Sequence, residues 1–228
     1  MTIALGIDVA EARKGLDLVA LDEARRVAFR MSGATLLDVQ DAVDRLTPDV
    51  VCIDSPPAWG QHGRSRAAER ELRKLGITAF STPTDPGPHP FYRWMEVGFS
   101  IFSALADRYP RFRAGEVRGT AAEVFPEASA VVLAGRLRPK RESKARFRRS
   151  VLEGRNVDCS ELRSVDALDA ALAALTGVLA LAGSYTGIGD PAEGVIVLPI
   201  DRLPLLPLRR DVSEEGAATA GSLHSQPT

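Results

Sequence analysis

Two short stretches constrain the fold of this chain more than anything else in it. Residues 3–9 (IALGIDV) and 50–54 (VVCID) are nearly continuous apolar runs, and each carries an aspartate at its C-terminal tip, Asp8 and Asp54. A strand with one solvated face alternates apolar and polar residues; a run without alternation is covered on both faces. Such strands belong to the middle of a sheet with helices on either side, so the fold class is α/β, a mixed sheet with helical cover.

The rest of the chain supplies that cover. Residues 15–21 (GLDLVAL) and 26–29 (RVAF) flank the polar 22–25, the pattern of a hairpin. Leu36, Val39, Val43 and Leu46 recur at helical spacing, and Pro48 ends the run. A charged helix is expected over about 65–75, closed by Gly76. Residues 82–90 (TPTDPGPHP) cannot hold regular structure and predict an ordered loop or a flap. Val97, Ile101 and Leu105 make one stripe of a helix over 95–109. AAEVF at 121–125 is a short strand broken by Pro126, with another helix beginning at Ala128. Residues 165–182 form an alanine-rich buried helix, and 194–200 (GVIVLPI) the last apolar strand. One domain over 1–200 is expected, then a tail, 201–228, whose small, polar and proline residues predict disorder beyond about residue 210.

At 228 residues the chain can bury one good-sized core. Its formal net charge of -1 argues against a uniformly basic nucleic-acid binder but hides an uneven distribution. Cys52 and Cys159 have neither C-x-x-C spacing nor neighbouring histidines, so they read as reduced thiols in a cytoplasmic protein, with no zinc site and no disulfide frame. The opening MTIALGIDVA lacks the basic and long apolar regions of a signal peptide. The alanine-rich stretch is shorter than a membrane span, so no membrane association is expected.

Asp8 and Asp54 are the first candidates for chemistry. On neighbouring strands they would face each other at a sheet edge, where two carboxylates repel unless a proton or cation intervenes. Oxygen-only ligands suit Mg²⁺ or Mn²⁺. The blander reading is that each acid caps the next turn. In SVDALDAAL, Asp166 and Asp169 lie three apart on one helix face, near its start. The helix dipole explains Asp166 as a cap; Asp169, followed by AALAAL, needs a partner or a cation. Glu123 is a carboxylate within a short apolar strand, and Glu127 beyond it reads as an exposed helix-start acid.

GIDVA on a hairpin-forming first strand, IDSP on a later one, EVFPEAS, DALDAALAALTG and a closing GDPAEGVIVLP together resemble the domain of unknown function 429 group. These are predicted nucleases of the ribonuclease H-like superfamily. The resemblance covers about residues 3–200, and the order and spacing of the motifs carry it more than any single one. It implies a ribonuclease H-like five-stranded mixed sheet, the first three strands antiparallel, with helices on both faces. It puts Asp8 on the first strand, Asp54 on the fourth, and Asp166 with Asp169 on the last helix, a pattern similar to Holliday-junction resolvases. Glu123 matches the acidic strand before the proline.

The function this implies is metal-dependent hydrolysis of nucleic-acid phosphodiesters by two divalent ions. Asp8 would bridge the ions, Asp54 and Asp169 would each bind one, and Asp166 and Glu123 would be further ligands or supporting acids. Phosphate contacts are expected from Arg64 and Arg66, and from Lys140, Lys144 and Arg148 in a run at 136–149 with eight Lys or Arg in fourteen residues. That run is otherwise a solvated charged face. Trp59 and Trp94 could stack on bases or pack a core or lid, and His62 reads as a surface residue. A resolvase-like role would call for a homodimer, though no heptad seam shows one. Two other functions fit the same sheet: a non-catalytic nucleic-acid or partner-binding module, and an actin- or sugar-kinase-like phosphotransferase. The latter lacks its glycine- and hydroxyl-rich phosphate loop here, the first hairpin reading EARKG.

Overall fold

The strand tipped by Asp8 lies near the centre of a seven-stranded sheet in the order β3-β2-β1-β4-β5-β7-β6. The computed structural model describes residues 1–205 and 207–210. Its strands are β1 (Ile3–Asp8), β2 (Leu16–Asp22), β3 (Val27–Ala34), β4 (Val50–Asp54), β5 (Ala121–Val124), β6 (Thr186–Asp190) and β7 (Gly194–Leu198). β1, β2 and β3 are antiparallel neighbours; β4 joins β1 in parallel, then β5 and β7 follow in parallel. β6 closes the far edge as the antiparallel partner of β7.

Both faces of β1 are buried, as its unbroken apolar run requires. Ile3, Leu5 and Ile7 join Val51 and Ile53 in a core with α1 (Leu36–Leu46) and α3 (Arg93–Leu105). Ala4, Val50 and Cys52 look the other way, into a core with α4 (Pro126–Ala134), α5 (Lys144–Glu153) and α6 (Val165–Leu181). α2 (Ala67–Lys74) packs on β6 and β7.

α6 is buried on every side from Ala167 to Ala180, which is why it can be apolar all round. Small residues let it lie directly on the sheet. A Cβ on Gly6 would come within 2.0 Å of the Ala170 carbonyl oxygen, and one on Gly177 within 2.8 Å of Ala4 Cβ. Ser164 caps its start, its hydroxyl accepting from the Ala167 N–H at 2.9 Å. On the opposite face α3 presses on the turn after Asp54: a Cβ on Gly98 would meet Ser55 Oγ at 1.8 Å.

Several expectations are corrected. The sheet has seven strands instead of five; β6 was unforeseen, and β7 adds to the first five. β3 runs on to Ala34, well past Phe29, as an exposed edge strand. α3 begins at Arg93 and stops at Leu105, and α4 begins at Pro126, proline being well placed in a first helical turn. Residues 136–143 form turns, and α5 starts only at Lys144, where Ser143 caps it. Residues 207–210 return to the body, Leu208 donating its N–H to the Leu75 carbonyl at 3.0 Å. The expected disorder beyond about 210 lies outside the described residues. Among the described residues no helix is long and apolar enough to cross a membrane.

Candidate active site

Asp8 and Asp54 are direct register partners on β1 and β4. Neighbouring strands lie about 4.8 Å apart, so the two carboxylates leave the sheet edge side by side. Alternation along each strand turns them to the α6 face, since Ala4, Val50 and Cys52 pack there. Asp17 is the cross-strand partner of Asp8 on β2 and accepts a hydrogen bond from Ser32 Oγ at 2.6 Å. The seating of α6 on Gly6 brings Asp166 and Asp169 over the same spot.

Electrostatics separate these acids. Burial above all, then the charges of Asp169, Asp166 and Asp17, push Asp8 up to about 8 against the opposing pull of Lys14. Burial, with Asp8 and Asp169 adding to it, holds Asp54 well above the usual carboxylate range, while Lys144 and Arg148 pull it back. Among the described residues no hydrogen bond or ion pair reaches either carboxylate. Asp166 and Asp169 are instead taken up by cations. Lys14 Nζ lies 2.6 Å from Asp166. Asp169 accepts from Arg148 Nε at 2.5 Å through one oxygen and from Lys144 Nζ at 3.2 Å through the other. With those two drawn aside, no group of three or more His, Cys, Asp or Glu among the described residues stands ready to hold a metal ion.

These residues line a cavity of ≈ 250 Å³ at the C-terminal ends of the parallel strands, the position where open α/β sheets bind ligands. Its other wall includes Glu123, but from the opposite side of the sheet. Ala122 packs beneath α6, and Glu123, next along β5, turns away from it. Both Glu123 oxygens accept from Arg66, at 2.8 and 2.5 Å, and Arg66 Nε donates to Glu69 at 3.0 Å.

The expectation that Arg66 and Arg148 bind phosphate therefore gives way. Each is buried, 2% and 0% exposed, and each bridges two carboxylates; Arg148 Nη2 also bonds Glu127 at 2.6 Å. Arg64 and Lys140 are exposed and Lys144 is at the cavity rim. Lys140 precedes α5 and so does not share a helix with Lys144 and Arg148. Trp94 packs partly on the α1/α3 core and Trp59 meets Phe99 edge-on at 4.8 Å. His62 is exposed. Lys14, Asp17 and Glu127 went unrecognised as parts of this cluster. For Lys14 and Asp17 the signal was there, since a hairpin after β1 must bring its first residues back beside Asp8.

A family model described as a protein of unknown function, DUF429, matches residues 6–194. The chain belongs to that family. The DUF429 match begins in β1, ends at the first residue of β7 and contains every acid of the cavity. No curated protein and no solved structure matches the chain.

Proposed function

We propose that this DUF429 protein is a divalent-metal-dependent nuclease hydrolysing phosphodiester bonds. The observation that carries the reading is the pair Asp8 and Asp54, in register on adjacent parallel strands, Asp8 buried and Asp54 partly so, mutually repelling and without a hydrogen-bond donor. A fold gains nothing from such a pair unless something positive binds it. The strand order β3-β2-β1-β4-β5, three antiparallel strands followed by parallel ones, supports a ribonuclease H-like core, with β7 and β6 as additions. Asp8 on the first strand, Asp54 on the fourth and two acids on the last helix fit that core.

The donor set suits Mg²⁺ or Mn²⁺, being all carboxylate oxygen. Asp8 and Asp54 would hold the metal, with Asp169 and Asp166 joining by exchanging their present cations for it. When bound, divalent ions supply activation of water and stabilisation of the leaving oxygen. The chain's own residues do the rest. Lys14 and Lys144 pair with the helix acids and, lining the cavity, would also reach a phosphate. Arg148 and Glu127 keep Asp169 oriented. Glu123, committed to Arg66, holds the far wall.

The test is cleavage of labelled single- and double-stranded DNA, RNA, an RNA–DNA hybrid and a four-way junction, with Mg²⁺, Mn²⁺ or EDTA, beside Asp54→Asn. The expected result is cutting that requires metal and is lost in the variant, by about a hundredfold or more. Binding without cutting on every substrate would replace the nuclease by a binding module.

A further inference from the structure

The acid cavity has an aromatic wall. Trp94 and Phe80 line it opposite the aspartates. Phe80 is 60% exposed, yet its backbone is pinned on both sides. Arg73 Nη2 donates to the Ala79 carbonyl at 3.3 Å and to Ser81 Oγ at 2.6 Å, and the Thr82 N–H donates to Glu69 at 3.0 Å. The Phe80 ring meets Phe91 edge-on at 5.1 Å and Trp94 at 6.3 Å.

A phenylalanine that served packing alone would be turned inward. This one is held outward on a fixed stretch of chain, beside a site whose acid end suits a metal-bridged phosphate. In a nucleic-acid strand a flat base follows every phosphate, and every base offers a π-face to an aromatic ring. In a duplex those faces are stacked inside the helix and reach a side chain only after unpairing.

We propose that Phe80 and Trp94 form a stacking platform for an unpaired nucleobase, which makes single-stranded nucleic acid the substrate class of this cavity. The proposal rests on the nuclease reading for what the acid end does. Lys144, exposed at the rim, lies where the strand's backbone would pass.

Binding followed by tryptophan fluorescence tests it separately from catalysis. Trp59→Phe leaves Trp94 as the one remaining tryptophan. Titration with an oligothymidylate strand, its duplex and an abasic strand of equal length is done in EDTA. It is repeated in Mg²⁺ with Asp54→Asn added to prevent cutting. The expected result is quenching of Trp94 by the single strand. Affinity should fall about tenfold for the abasic strand, for the duplex, and for Phe80→Ala, and be retained by Phe80→Tyr. Phe80→Ala should keep the parent's thermal midpoint, because the side chain is exposed. Equal affinity for abasic and intact strands, or no Trp94 response under either condition, overturns the platform. Quenching without cleavage in the wild type keeps the platform and removes the nuclease. Metal-dependent cleavage indifferent to Phe80 and to strandedness does the reverse.

Discussion

Two clusters of acids meet at the same end of the sheet, and the fold treats them in opposite ways. Beside α2, Glu69 and Glu123 share one buried guanidinium, and Glu193 accepts backbone N–H groups from Gln61 and Ala67 at 3.1 and 3.0 Å. Arginine's planar fork can satisfy two carboxylates at once, so this side is balanced. Beneath α6, Asp8 and Asp54 have no hydrogen-bond donor and further acids beside them, and the nearby cations Lys14, Lys144 and Arg148 pair with Asp166 and Asp169 instead. Adjacent strands of one sheet thus yield one cluster that hydrogen bonds finish and one that they do not. The finished cluster is scaffold. The unfinished one keeps its repulsion, which the metal proposed above would relieve.

Three substitutions break or sharpen that contrast. The largest effect belongs to Arg66→Ala, which leaves Glu123 buried without a donor and Glu69 with only Ser65 and backbone N–H groups. The loss of Glu123's partner should cost about 3–5 kcal/mol in urea unfolding at neutral pH, and an unchanged midpoint would mean that Arg66 does not balance Glu123. Asp8→Asn should act with the opposite sign, stabilising the metal-free protein by about 1–2 kcal/mol in EDTA at pH 8. The Asp8 carboxyl lies at about 8 in the fold, whereas unfolded aspartate ionises near pH 4. Its charge therefore opposes folding increasingly as pH rises through that window. Wild type and variant should coincide near pH 4 and separate above it; parallel curves would refute the repulsion. Adding Mn²⁺ should raise the wild-type melting temperature and leave that of the variant unmoved.

The smallest effect is that of Glu193→Gln, about 1 kcal/mol destabilising at pH 7. Burial would raise this carboxyl, but N–H groups of Ala67, Gln61 and His62 outweigh it and hold the group below its ordinary value. A depressed acid stabilises above its unfolded value and loses that contribution as pH falls through its folded one. The difference from wild type should hence vanish in acid, where that for Asp8→Asn also vanishes but from the other direction. A Glu193→Gln penalty that persists in acid would show its contribution to be packing and not charge.

What could be read from the chain alone followed from local physics. Unbroken apolar runs marked β1 and β4, alanine content marked α6, and their acids fell where strands and helix begin or end. β6 escaped notice because TGIGD has a single apolar side chain and two glycines, one of them, Gly189, at a φ of 106°. Its strand state comes from pairing with β7, which no local pattern announces. The arginines were misread for a related reason. A charge count cannot distinguish an outward side chain from one paired across the fold, and Arg66 and Glu123 stand 57 residues apart. For Arg148 a local clue did exist. It shares the buried stripe of α5 with Phe147, Val151 and Leu152, so helical spacing alone points it inward. Phe80 gave no signal, because its exposure depends on bonds from Arg73 and Glu69 to its neighbours.

The close seat of α6 on β1 has a consequence for how such a site endures. Where helix and strand are separated by large side chains, their spacing shifts whenever those side chains change volume. Here main chain rests on main chain at Gly6, and Ala170 and Ala174 leave no spacer to resize. The distance from the strand aspartates to the helix aspartates is accordingly set by peptide thickness, a length that substitutions elsewhere in the core leave untouched. Much of the hydrophobic interior could be exchanged with the carboxylates still meeting; adding one methyl group at Gly6 would part them.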